Sequence, residues 1–185
     1  MKFAYVLAAA AVFASGSASA SDITGFRVEA LLGWDSSKFS DLGSHSGFAY
    51  GAGIGYDFAV APTVSLGVDG EIGSSTAKFR VSSGSEFVEL KNGRDLYVGA
   101  RVTGKVAEKF AVYAKGGYAN GRLNASYNFD GDSDSFGGNG GGFRLGAGGQ
   151  YLVGEKAYVG AEYRYTSYQD SFSRHQVLAT FGYRF

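Results

Sequence analysis

The chain has 185 residues, with 17 basic and 17 acidic side chains, 30 Gly, 13 Tyr, 15 Phe, one Pro and no Cys. That balance leaves no global charge pointing to nucleic acid. The missing cysteine excludes a disulfide framework, and glycine without a G-X-Y period excludes collagen.

Met1-Lys2 gives a short positive start, and Phe3 to Phe13 is one unbroken apolar run followed by small residues ending at Ala18-Ser19-Ala20. Charge, short apolar stretch and an A-x-A site together read as a secretory signal peptide over residues 1–20, with Ala18 and Ala20 as the cleavage positions. A retained N-terminal anchor helix is the alternative, but the run is shorter than the roughly 20 apolar residues a spanning helix needs. The expected mature domain is 21–185. Past Ala20 no stretch approaches 18 apolar residues, so helical membrane spans are excluded.

The mature sequence alternates with period two in eight segments. They are Thr24–Trp34, Ser46–Phe58, Thr63–Gly73, Gly93–Thr103, Phe110–Asn120, Gly142–Val153, Ala157–Ser167 and His175–Phe185. In the first, Phe26, Val28, Ala30, Leu32 and Trp34 share one face against Arg27 and Glu29 on the other. In the second, Phe48 to Phe58 alternate with Gly51, Gly53, Gly55 and Asp57. Segments of about ten residues, apolar on one face and polar on the other, are the signature of transmembrane β-strands. A soluble sandwich also alternates, so the connections decide. Asp35–His45, Ser74–Asn92, Gly121–Gly141 and Tyr168–Arg174 are long. Ala59–Pro62, Gly104–Lys109 and Gly154–Lys156 are short. Strict alternation of long and short fits outer loops and periplasmic turns. The expected fold is therefore all-β, an antiparallel up-and-down transmembrane barrel of eight strands. Ala77–Val81 and Leu123–Phe129 also alternate and are read as strand extensions above the membrane, each too short to cross it.

An eight-stranded barrel is just wide enough to be filled by its own side chains. The polar faces carry six basic residues, Arg27, Arg101, Lys115, Arg144, Arg164 and Arg184. They carry six acidic ones, Glu29, Asp57, Asp69, Glu71, Asp95 and Glu162. Buried charges are costly unless paired, so the equal numbers predict a salt-bridged interior. Inward glycines such as Gly55, Gly99 and Gly182 make room for the long side chains. Aromatics near the strand ends, among them Trp34, Tyr56, Phe58, Tyr118 and Phe143, predict interfacial girdles.

Three stretches carry a resemblance: Tyr50–Phe58 (YGAGIGYDF), Ala157–Tyr165 (AYVGAEYRY) and the ending Phe181–Phe185 (FGYRF). With the signal peptide, they make the chain resemble the small outer-membrane β-barrel family of Gram-negative bacteria, the opacity-protein and OmpA/OmpX-like barrels. The resemblance implies a cell outer-membrane location. It also implies that Phe181, Tyr183 and Phe185 are read by the barrel-assembly machinery, with periplasmic chaperones as partners during biogenesis. A peptidoglycan-binding module after Phe185 is not expected.

Several motifs tempt and weaken on inspection. Gly51-x-Gly53-x-Gly55 lies inside a strand with no helix following, so it lacks the context of a nucleotide loop. Asp130-Gly131-Asp132-Ser133-Asp134 opens like a calcium loop, but Ser135 and Gly141 stand where Gly and the bidentate Glu belong. An acidic loop tip is the better reading, and no metal or cofactor is expected. His175, near Asp170, Ser171 and Ser173, could form a hydrolytic set at a rim, but no nucleophile motif surrounds it. Exposed aromatics at Phe39, Phe79, Phe87, Phe136, Tyr168 and Phe172 stand among polar loop residues, where binding usually sits. The Gly137–Gly142 run argues for a mobile loop rather than a preformed pocket. The leading functional expectation is a structural and surface-interaction protein of the outer membrane, without enzymatic activity. Its expected partners are outer-membrane lipid, lipopolysaccharide and a host or surface ligand held by the outer loops. A narrow pore for ions or small solutes is the first alternative, and a lipid-modifying enzyme the second.

Overall fold

Period-two alternation forms strands because successive side chains point to opposite faces. Here one face is apolar nearly everywhere, so the sheet must turn that face to lipid and close on its polar side. The computed structural model describes residues 23–39, 43–83, 86–129, 132–168 and 172–185. The strands are β1 (Gly25–Phe39), β2 (Gly43–Ala61), β3 (Val64–Ser75), β4 (Lys78–Ser83), β5 (Glu86–Ala107), β6 (Phe110–Phe129), β7 (Asp132–Leu152), β8 (Ala157–Tyr168) and β9 (Phe172–Arg184). Apart from β3 and β4, each pairs antiparallel with its sequence neighbour, and β1 pairs with β9 from Arg27↔Arg184 to Phe39↔Phe172. β3 pairs with β5 directly, and β4 prolongs the line of β3. The result is a closed antiparallel barrel of eight staves. Closure leaves no unpaired edge inside a bilayer, where an orphaned backbone group has no water to bond.

On β5 the outward residues run from Val106 through Val102 and Val98 to Leu96. Ten residues at roughly 2.5 Å of height each, for a strand tilted about 40°, span about 25 Å. That is the height of the apolar band of an outer-membrane barrel. Aromatics mark both margins. At the short-turn end Phe26 lies 5.8 Å from Phe185, Tyr183 4.9 Å from Phe185, and Tyr56 4.7 Å from Phe58, centroid to centroid. At the other end Trp34, Phe48, Tyr50, Tyr118, Phe143 and Tyr163 are all exposed on the outer wall. Gly25, at the start of β1, has φ of 102°, and a Cβ there would press on the Phe185 carbonyl oxygen at 2.7 Å. Glycine is what lets the chain enter the closing seam at that point.

The stretches expected as long connections are mostly strand. β1 and β2 continue to Phe39↔Gly43, β5 and β6 to Phe87↔Asn128, and β6 and β7 to Phe129↔Asp132. Gly137–Gly142, expected as a mobile loop, lies inside β7 opposite Ala119–Asn124. Beyond the bilayer the polar, glycine-rich sequence still satisfies its backbone by continuing the ladder. Among the described residues the ladder of this collar does not close. Among the described residues β4 pairs with β5 alone, and Asp132–Gly141 of β7 with β6 alone. The collar thus includes a four-stranded sheet, β4–β5–β6–β7, with no described ladder pairing to β1, β2, β8 or β9 above Gly142↔Tyr168. The parting between β2 and β4 begins at Thr76, whose N–H donates to the Phe48 carbonyl (2.9 Å) while its hydroxyl accepts from the Phe48 N–H (2.9 Å).

Candidate functional site in the barrel lumen

The polar faces of all eight staves converge in the lumen. The twelve charged residues singled out from the sequence all lie there, each 9% exposed or less. Near the short turns, Arg27 donates to both Asp57 oxygens (3.3 and 3.2 Å) and contacts Asp69, and Arg184 donates to Asp57 at 3.2 Å. One level up, Glu29 accepts from Arg101 (3.0 Å) and from the Tyr158 hydroxyl (2.7 Å). Arg101 also donates to Gln150 at 2.8 Å, and its guanidinium stacks 3.6 Å above the Tyr113 ring.

Midway along, the Tyr113 hydroxyl donates to Glu162 at 2.8 Å. Lys115 sits between Glu71 (2.5 Å) and Glu162 (2.8 Å), and Arg164 donates to the same two carboxylates at 3.0 and 2.7 Å. At the long-hairpin end Arg144 donates to Thr166 (2.8 Å) and to Asp95 (2.6 Å). Arg174 reaches Asp95 at 2.9 Å and grips Asp35 with two bonds of 2.7 Å. A 3.9 Å contact between Arg144 and Glu71 joins the upper and middle groups.

Among the described residues the lumen therefore holds seven buried cations, the six expected plus Arg174, and seven buried anions, the six expected plus Asp35. Their formal charges sum to zero. Isolated, each ion would cost several kcal/mol to take out of water. Here each has an opposite charge within 4 Å, and most partnerships are charge-assisted hydrogen bonds. Glycine provides the room. A Cβ at Gly182 would run into the Tyr158 ring, and one at Gly55 into the Arg27 guanidinium. A void of about 20 Å³ remains beside Glu71, Asp95, Arg144, Arg164 and Gln176. That is room for about one water.

Asp35, Tyr158 and Arg174 belong to this network and were not among the expected residues. Their signal was present, since Arg27, Glu29, Asp35 and Arg184, Gln176, Arg174 each keep the same parity. Asp35 and Arg174 fall in stretches that read as loops, whereas Tyr158 lies inside an expected strand and carries no charge to mark it. Phe181 and Tyr183 face outward on β9, and Phe185, just past its end, is exposed as well. His175 also faces the outer wall, where its Nδ1 lies 2.7 Å from the Tyr163 hydroxyl and its ring 5.0 Å from that of Tyr165. Asp170 and Ser171 fall outside the described residues, as do Asp130, Gly131, Ala18 and Ala20. The side chains of Phe39, Phe79, Phe87, Phe136 and Phe172 do too. Among the described residues no cluster of three metal-binding side chains occurs.

A family model described as an outer membrane protein beta-barrel domain matches residues 5–185. The chain belongs to that family. Its location is accordingly the outer membrane. The crystal structure of Ail, the attachment invasion locus protein of Yersinia pestis, matches this outer membrane barrel with a TM-score of 0.59 at 16% identity. The match covers 87% of this chain and 99% of Ail. Ail in complex with the heparin analogue sucrose octasulfate matches at 0.54 and 16%, with the same coverage. Neisserial surface protein A matches at 0.59 and 18%, over 88% of this chain and 98% of its own. At these identities the likeness is one of fold. No curated protein matches in sequence.

Proposed function

We propose that the barrel is a sealed anchor of the outer membrane, and that its long hairpins act as a surface-contact module on the extracellular side. The observation that supports this most is the filled lumen: among the described residues fourteen buried charges, seven of each sign, pair along its length. A water-filled channel would leave such charges hydrated rather than bonded to one another. The second support is the collar, whose β6–β7 hairpin continues ten residues past the last β7–β8 pair, Gly142↔Tyr168. Binding residues concentrate on segments held up by a rigid scaffold. Adhesion and membrane integrity are the roles this shape serves, with surface polymers and lipopolysaccharide as contacts.

Residues 1–20 serve as the export signal, cut after Ala20. Phe181, Tyr183 and Phe185 form the assembly signal, handed on by periplasmic chaperones; their exposure on the last strand leaves them available to the assembly machinery. We assign no catalytic role. The ring nitrogen of His175 that a carboxylate would have to orient is occupied by Tyr163.

The test is to shorten the collar. Leu123 and Gly138 are paired, so residues 124–137 can be replaced by Asn-Gly, which closes a two-residue hairpin. Cells displaying the shortened barrel should keep its heat-shifted gel band and lose attachment to surfaces or matrix polymers. Undiminished attachment would remove the collar from the account.

A further inference from the structure

The outer wall is not evenly covered. On β3 the outward row Val68, Gly70, Ile72 lacks a side chain at its middle, and a Cβ at Gly70 would meet only Ile54, at 3.9 Å. A groove of about 560 Å³ results, lined by Ile54, Gly70, Ile72, Leu96, Val98 and Tyr118. Val98 lies eight residues from Val106 at the short-turn margin, about 20 Å up the band, so the groove occupies the half nearer the long hairpins. A second groove of about 440 Å³ lies across Tyr118, bounded by Gly141, Phe143 and Ser167.

Two cations stand directly above. The β5–β6 register breaks between Asn92 and Asp95, which sets Gly93 and Arg94 opposite Arg122. Both arginines are exposed and share the outward parity of Leu96 and Tyr118. Among the described residues no carboxylate pairs with either, although the seven arginines and lysines of the lumen are all paired. Arg94 is two residues past Leu96 and four past Val98, about 5 Å above the one and 10 Å above the other.

We infer that this face is a binding site for a phosphorylated, multiply acylated lipid of the outer leaflet, of the lipid A type. Arg94 and Arg122 hold the phosphate, and the two grooves astride Tyr118 take acyl chains. Arginine forks match phosphate oxygens bidentately, and grooves inside the apolar band are filled in the membrane by hydrocarbon. Two grooves beneath one cationic pair suit a headgroup that carries several chains. The inference rests on the proposed orientation, with the long hairpins outside.

The test uses the full mature chain, refolded in detergent micelles, with bound lipid counted by native mass spectrometry. Diphosphoryl lipid A is titrated against dephosphorylated lipid A and phosphatidylglycerol. The variants are the double substitution Arg94→Gln/Arg122→Gln, and Gly70→Leu, which puts a side chain into the groove from a Cβ that meets nothing closer than Ile54 at 3.9 Å. A heat-shifted gel band verifies folding of each. The wild type should prefer diphosphoryl lipid A over both comparators. The double variant should bind it about 25-fold more weakly, about fivefold for each arginine facing an anionic headgroup, and Gly70→Leu should bind it several-fold more weakly. Unchanged binding by either variant would overturn the site, as would phosphatidylglycerol binding as tightly as lipid A. Neither variant touches the lumen, so the sealed-barrel reading stands or falls separately, on conductance.

Discussion

The Asp35–Arg174 pair offers the sharpest probe of what charge pairing contributes to this barrel. Asp35 is fully buried and its carboxylate is held by both 2.7 Å bonds from Arg174. Arg174 has a second partner in Asp95 at 2.9 Å, and Asp95 keeps Arg144 at 2.6 Å when Arg174 is removed. The two single substitutions should therefore differ. Arg174→Met strands Asp35 as a buried ion and should cost about 3–5 kcal/mol. Asp35→Leu leaves Arg174 still bonded to Asp95 and should cost about 1–3 kcal/mol. The double variant Asp35→Leu/Arg174→Met removes the pair as a unit. It should cost less than Arg174→Met alone, because an apolar pair of similar volume replaces a buried ion pair with little net loss. The expected coupling is about 2 kcal/mol or more, well beyond the few tenths seen between independent sites. The assay is urea unfolding of the refolded chain in phospholipid vesicles, followed by fluorescence of Trp34. It is the only tryptophan, and it adjoins Asp35 on the lipid face. Additive costs, or a single Arg174→Met cost under about 1 kcal/mol, would refute the reasoning.

Three further outcomes follow from the same geometry. Val98 is 62% exposed on the lipid wall, so Val98→Arg should cost about 2–4 kcal/mol in the same unfolding assay; a neutral result would mean the faces are assigned the wrong way round. Gly182→Ala drives a methyl into the Tyr158 ring and should cost about 1–3 kcal/mol, a cost that should vanish in a Tyr158→Ala background. Deleting Phe185 should lower the level of folded barrel in the outer membrane, read as the heat-shifted band; normal levels would remove the assembly role from the last strand.

The barrel was legible because its two faces are chemically opposite. Val28, Leu32, Val98 and Val177 alternate with Arg27, Leu31, Gly99 and Leu178 over enough residues to fix strand, face and span at once. The equal count of lumen charges was legible for the same reason. What the sequence concealed lies past the apolar band. There the outward side chains turn polar, the contrast between faces fades, and stretches such as Asp35–Phe39 and Gly137–Gly141 read as loop, although the structure continues them as paired strand. Asp35 and Arg174 went unassigned at that boundary. Individual pairings were also out of reach, because the shear of the barrel decides that Glu29 meets Arg101, 72 residues away, and periodicity within one strand carries no trace of shear. The grooves astride Tyr118 are likewise a product of neighbouring staves.

The most direct test of the sealed lumen is planar-bilayer conductance of the refolded mature chain, with the heat-shifted gel band as proof of folding. The paired interior predicts a folded barrel that passes no steady current, and in which Arg174→Met alone also stays silent because Arg144, Arg164 and Lys115 still fill the bore. Discrete, ohmic steps from the wild-type barrel would contradict the account and make the charged interior a path for ions.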